Sequence, residues 1–191
     1  MDFKDAVQVT RLRGKLMEAS CPEGTGGMAA IMGIEPERVL AVCNEVSESG
    51  VAQPAAFNCP GQVVVAGHIR ALTEVIARVK AEGARNATLL TVSGPFHSAL
   101  MKDAQDGLKD KLQRVEMKEA KFPVVANVDA KPHTAPEEIR QNLIDQLTKP
   151  VMWQASVQTM KKEGVQAFAE LGAGRVLSGL LRRIDRTLST T

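Results

Sequence analysis

Val51-Ala52-Gln53-Pro54-Ala55-Ala56-Phe57-Asn58-Cys59-Pro60-Gly61-Gln62-Val63-Val64-Val65-Ala66 reads as two strands, 51–57 and 62–66, turned back on each other through the tight connection Asn58-Cys59-Pro60-Gly61. Pro54 weakens the first strand, since it can give no hydrogen bond to a ladder. On the N-terminal side lie a strand over 28–34 and a helix over 36–46, with Pro36 suited to its first turn. On the C-terminal side a helix over 69–82 stops at Gly83, and 87–92 forms a fourth strand. The order is β-α-β-β-α-β within about 70 residues, which is the split βαβ, or ferredoxin-like, arrangement.

Outside this unit the periods are mostly helical. Over 2–19 the residues Lys4, Gln8, Arg11, Lys15 and Glu18 share one arc, with Phe3, Ala6, Val9, Leu16 and Met17 opposite. The segment Cys21-Pro22-Glu23-Gly24-Thr25-Gly26-Gly27 is turn chemistry and a boundary. Leu100, Ala104, Leu108, Leu112 and Val115 mark a long amphipathic helix, and 136–147 and 153–163 two more. The apolar run 122–128 predicts a strand covered on both faces. A strand over 165–171 then turns through Gly172-Ala173-Gly174 into a helix over 175–188, whose last turns carry Arg182, Arg183 and Arg186. Strands alternating with helices predict a parallel sheet. The fold class is α/β: a leading helix (1–23), the ferredoxin-like small unit (24–94) and part of a larger α/β layer (95–191). That layer is thinly supplied with strands, and a further N-terminal portion is expected to complete it.

Composition narrows the function classes. The 191 residues are 44% hydrophobic and 24% charged, an ordinary balance for a chain that buries a core. A net charge of +2 and five Phe, one Trp and no Tyr offer neither an electrostatic footprint nor stacking platforms for nucleic acid. No membrane span or secretory leader is readable, so the expected location is cytoplasmic. Cys21, Cys43 and Cys59 are odd in number and lack Cys-x-x-Cys spacing, so they read as reduced thiols in or near a core. No histidine pair has metal-ligand spacing.

Three features bear on chemistry. His97, in Gly94-Pro95-Phe96-His97-Ser98, sits between a strand and a helix, where an imidazole can be fixed yet reachable. A structural hydrogen bond in the turn is the competing explanation. Arg13 falls near the centre of the apolar arc of the first helix, so its guanidinium meets a protein carboxylate, meets an anionic ligand, or snorkels outward. Gly172-Ala173-Gly174 lacks the rest of any phosphate-binding fingerprint and reads as a close-packed turn. Ser98 reads as a helix N-cap, and no G-x-S-x-G elbow occurs.

Four stretches occur in order: Arg11-Leu12-Arg13-Gly14-Lys15-Leu16-Met17, Asn58-Cys59-Pro60-Gly61-Gln62-Val63-Val64-Val65-Ala66-Gly67, Val92-Ser93-Gly94-Pro95-Phe96-His97-Ser98-Ala99-Leu100-Met101 and Glu170-Leu171-Gly172-Ala173-Gly174-Arg175-Val176-Leu177. Together they resemble the malonyl-CoA:acyl carrier protein transacylases of fatty acid synthesis, over essentially the whole chain. The resemblance implies an α/β-hydrolase-like large subdomain carrying the ferredoxin-like one. It implies ping-pong transfer of malonyl from coenzyme A through a serine to acyl carrier protein, with malonyl-CoA as substrate and no metal or bound cofactor. His97 matches the family's base, Arg13 its clamp on the malonyl carboxylate, and Gln146 the residue whose backbone carbonyl orients the histidine. Phe96 matches the malonyl-selecting form of its motif.

This sequence departs from the family at the nucleophile: the G-H-S-x-G elbow and the Gly-Gln-Gly strand end are absent, and Ala56 stands where asparagine is common. The expectation is a C-terminal part that carries base and clamp and is inactive alone. A non-catalytic module that binds acyl carrier protein, coenzyme A or a complementary chain is the alternative, and a pairing with a separate N-terminal fragment stands between the two.

Overall fold

The computed structural model describes all residues, 1–191. Its centre is a four-stranded antiparallel sheet in which strands β1 (Gly26–Met32), β2 (Ala52–Cys59), β3 (Gln62–His68) and β4 (Asn86–Leu89) lie in the order β2-β3-β1-β4. The hairpin β2–β3 turns at Gly61, whose φ of 68° is in the left-handed region that glycine enters without penalty. Successive residues of a strand face opposite sides, and here both sides are covered. Val63 and Val65 enter a core with Ile31, Val42, Leu72 and Val75 beneath helices α2 (Pro36–Glu45) and α3 (Ile69–Ala81). Val64 and Ala66 face the other way, toward Met28, Ala55 and Ala56, with Phe96 and Val151 packed on them. That two-sided burial accounts for the unbroken apolar run Val63-Val64-Val65-Ala66.

One glycine is fixed by a close approach. A Cβ on Gly67 would stand 1.9 Å from the Val51 carbonyl oxygen, where β2 passes against β3. Gly67→Ala should therefore destabilise the chain by about 3 kcal/mol or more, the upper range for overpacking. Denaturant unfolding reads this directly, and an unchanged midpoint would show that the crossing can open.

A second core is helical. Helix α1 (Phe3–Ala19) packs on α4 (Lys102–Gln113), which packs in turn on α5 (Pro136–Asp145), burying Val9, Met17, Leu108, Leu112, Ile144 and Leu147. The approach of α1 to α4 is close enough that a Cβ on Gly107 would meet the Leu16 side chain at 2.9 Å. Phe3 lies outside this core at 85% exposure, although it shares the apolar arc, because α4 covers only the later turns. A third, small cluster joins α6 (Trp153–Lys162) and α7 (Val176–Ile184) through Val157, Leu181 and Leu188.

The expected parallel sheet over 122–171 does not form within these residues. Val124–Val125 (β5) makes only a two-residue antiparallel pair with Pro132–His133 (β6), and Ala167–Phe168 (β7) a two-residue parallel pair with Ser189–Thr190 (β8). Phe122 is 73% exposed and Leu171 94%. An apolar run becomes a strand only where another strand meets its hydrogen-bonding groups, and these 191 residues supply almost none here. Helix α7 is also shorter than its pattern. It ends at Ile184, so Arg182 and Arg183 occupy its last turn but Arg186 lies beyond it. No helix is long and apolar enough to cross a membrane.

Candidate active site

His97 lies in the loop that links β4 to a short helical turn at Ala99–Met101, next to α4. Three features hold that loop. Pro95 rests on the start of β1, where a Cβ on Gly26 would come within 2.6 Å of the proline ring. Phe96 packs against both the sheet face and the helical core, wedging the loop between them. Ser98 is fully buried; its hydroxyl donates to the Pro95 carbonyl at 2.6 Å and accepts from Leu100 N at 3.3 Å, the N-cap role its position predicts. Bound in this way, the Ser98 hydroxyl is not a free nucleophile.

The loop is strained at the residue of interest. His97 has φ 59°, a left-handed conformation that costs a non-glycine residue about 1–2 kcal/mol. Its ring supplies part of the compensation. Nδ1 lies 2.7 Å from the carbonyl oxygen of Gln146, which caps the C-terminus of α5. The last carbonyls of a helix lack intrahelical donors, so this oxygen is free to accept. Because a carbonyl only accepts, the short contact places the proton on Nδ1 and leaves the Nε2 lone pair exposed for a proton. The Gln146 side-chain amide, 3.3 Å from Nδ1, donates instead to the Lys149 carbonyl at 3.1 Å.

Arg13, on α1, is half-buried and has no carboxylate or carbonyl partner in the chain; burial alone pulls its pKa down. A guanidinium in that state has five donors in a fixed fork that can meet an anion. Its charge also reaches His97. The imidazole pKa lies below its ordinary value, first because of burial and then because of Arg13, with the Gln146 carbonyl opposing both. His97 is therefore neutral at physiological pH, the state a base requires.

The sign of the pH dependence follows from that lowered value. The stability contributed by the neutral ring is full above the unfolded histidine value of about 6.5, and it falls as pH drops from there through the folded pKa. In Arg13→Ala the His97 titration should move upward. NMR titration of the ring protons checks this, and an unmoved curve would place Arg13 too far away to act.

The other sequence candidates separate from this site. The Gly172-Ala173-Gly174 turn leads into α7, but the carboxylate of Glu170 already occupies the helix start, accepting from Leu177 N at 3.0 Å and from Ser178 N at 2.9 Å. Cys59 ends β2 rather than sitting in a free turn; it is buried, and burial raises its pKa, so it is held as a thiol. His68 and His133 are of intermediate exposure, and each is tied to its neighbours. His68 accepts from Val51 N at 2.9 Å, and His133, with a side chain 13% exposed, lies between Asp129 and Glu138. Sequence reasoning missed Gln53, whose Oε1 accepts from Ala99 N at 3.1 Å, two residues from His97.

The model of the acyl transferase domain family matches residues 1–189. The chain belongs to the acyl transferase domain family. Among members of that family, it is 45% identical over 191 residues to the malonyl CoA-acyl carrier protein transacylase of Escherichia coli K12, covering all of this chain and 62% of that protein. The solved malonyl CoA-acyl carrier protein transacylase of Coxiella burnetii superposes with a TM-score of 0.96 at 34% identity, covering 100% of this chain and 60% of that one. A type II PKS acyl-carrier protein in complex with its malonyl-transacylase superposes at 0.96 with 45% identity, over 100% of this chain and 62% of that chain. The chain thus spans about 62% of the length of the curated relatives it matches. Acyl transferase membership establishes a mixed α/β fold like that of the solved relatives. It leaves the role of each site residue to the geometry.

Proposed function

We propose that this chain carries the base and the carboxylate clamp of a malonyl transferase acting between coenzyme A and acyl carrier protein, in the cytoplasm and without a cofactor. The observation that carries this reading is the pairing of an unpartnered, half-buried Arg13 with a neutral, oriented His97. A planar guanidinium takes a carboxylate through two parallel hydrogen bonds, so it selects malonyl over uncharged acetyl. The similarity to transacylases of that name supports the substrate, and the relative solved with its acyl-carrier protein supports the partner. We read 24–94 as the ferredoxin-like subdomain, supported by its strand order, and 1–23 with 95–191 as part of an α/β-hydrolase-like one.

The nucleophile in this scheme is a serine on an elbow that these 191 residues do not contain. Its hydroxyl attacks the malonyl thioester carbon, His97 Nε2 takes the proton, and the C–S bond breaks. The proton passes to the coenzyme A thiolate. In the second half the carrier's thiol gives its proton to Nε2 and attacks the serine ester, which restores the serine. Exposed Phe122, Leu171 and Val176 suit a surface that a serine-bearing segment covers. Malonyl transfer to a carrier protein is measured with this chain alone and then with a segment supplying the elbow. Transfer is expected only in the second case, and full activity from the chain alone would overturn the reading.

A further inference from the structure

We infer that Gln53 is a positioning residue for His97, an inference that rests on the transferase reading only for its functional meaning. The loop carrying His97 is tied to distant parts of the fold at that strained residue and two positions after it. One tie is the ring itself, through Nδ1 to the Gln146 carbonyl at the end of α5. The other is the backbone N–H of Ala99, which donates to Gln53 Oε1 on β2. Ala99 opens the helical turn 99–101, so its N–H has no partner within that turn, while the Ser98 hydroxyl serves the next donor, Leu100 N. Gln53 is half-buried and paired in the sheet with Ala66, which lies on the face that Phe96 covers. It therefore joins the His97 loop to the central four-stranded sheet.

The left-handed conformation at residue 97 persists only because its neighbours hold it. When the Ala99 tie is lost, its exposed N–H turns to water and residues 97–99 relax. The imidazole then moves off the Gln146 carbonyl, and its preference for a proton on Nδ1 declines. Gln53 thus sets which ring nitrogen presents its lone pair.

The test is the imidazole tautomer of His97 in the ¹⁵N-labelled chain, read from two-bond ¹H–¹⁵N correlations above the titration range. The wild-type ring is expected with its proton on Nδ1. Gln53→Leu keeps the bulk but removes the acceptor, and should lower the ratio of the Nδ1–H to the Nε2–H form about fivefold, the factor one net hydrogen bond carries. Gln53→Glu keeps an acceptor oxygen and should restore the ratio. An unchanged ratio in Gln53→Leu, or no recovery in Gln53→Glu, overturns the assignment. If Gln53→Leu does not fold, Ala99→Pro removes the donor instead. Ser98 is extended, with φ −133° and ψ 167°, as a residue before proline should be, and the first position of a helical turn accepts proline. That variant must show the same fall, and an unshifted tautomer in it overturns the proposal. A tautomer shift in a chain that still transfers no malonyl when the serine-bearing segment is supplied would keep the positioning role and remove the transferase reading.

Discussion

His97→Ala lowers malonyl transfer by about 10²- to 10⁴-fold in a protein that also supplies the serine, the range for losing a positioned acid–base group. The loss should fall in both half-reactions, because the same nitrogen takes the serine proton and later the carrier's thiol proton. Stopped-flow release of coenzyme A and single-turnover discharge to the carrier measure the two separately. The fold should survive the change. The ring gives one hydrogen bond to Gln146, and alanine keeps the Cβ that makes the left-handed backbone costly, so the strain is unchanged and unfolding should shift by about 1 kcal/mol, the worth of that bond. A variant that loses one half-reaction and keeps the other would assign His97 a narrower role.

Arg13→Ala should cost malonyl selectivity more than acyl transfer. Hydrogen bonds to charged groups are worth about 1.5–3 kcal/mol each, so losing a two-pronged clamp should lower kcat/KM for malonyl-CoA by at least about 10²-fold. Acetyl-CoA has no carboxylate to lose, and its kcat/KM should stay the same or rise as the site becomes less polar. Arg13→Lys should recover only part of the selectivity, since an ammonium is a point charge that cannot match both carboxylate oxygens. An unchanged malonyl-to-acetyl ratio would remove the clamp. The protein itself should tolerate Arg13→Ala well, because the guanidinium has no partner to strand.

The sequence made some parts of this molecule readable and concealed others, and the division has a physical cause. The hairpin around Gly61 and the two helices beside it are set by local signals, namely turn residues, alternation and helical period, and these segments fold within one or two residues of where those signals place them. Arg13 was visible because a charge on an apolar arc conflicts with its surroundings whatever the tertiary structure. The runs 122–128 and 165–171 misled because an apolar stretch does not encode where its pairing partner lies; Phe122 and Leu171 are exposed instead of sandwiched. The Gln146 carbonyl was suggested only by family resemblance, since any residue type can offer a backbone oxygen. Gln53 gave no signal at all: it is a polar residue on a strand, and its partner is 46 positions away.

In the proposed reading Arg13 holds a carboxylate beside a base whose pKa is depressed first by burial and further by that same arginine. The most direct measurement is the His97 titration in the protein joined to the serine-bearing segment, with the serine replaced by alanine so that the thioester is not consumed. Saturating malonyl-CoA should raise the His97 pKa, because the bound carboxylate neutralises the guanidinium, while saturating acetyl-CoA should leave it where burial and Arg13 set it. Equal titration curves with the two thioesters would contradict the account.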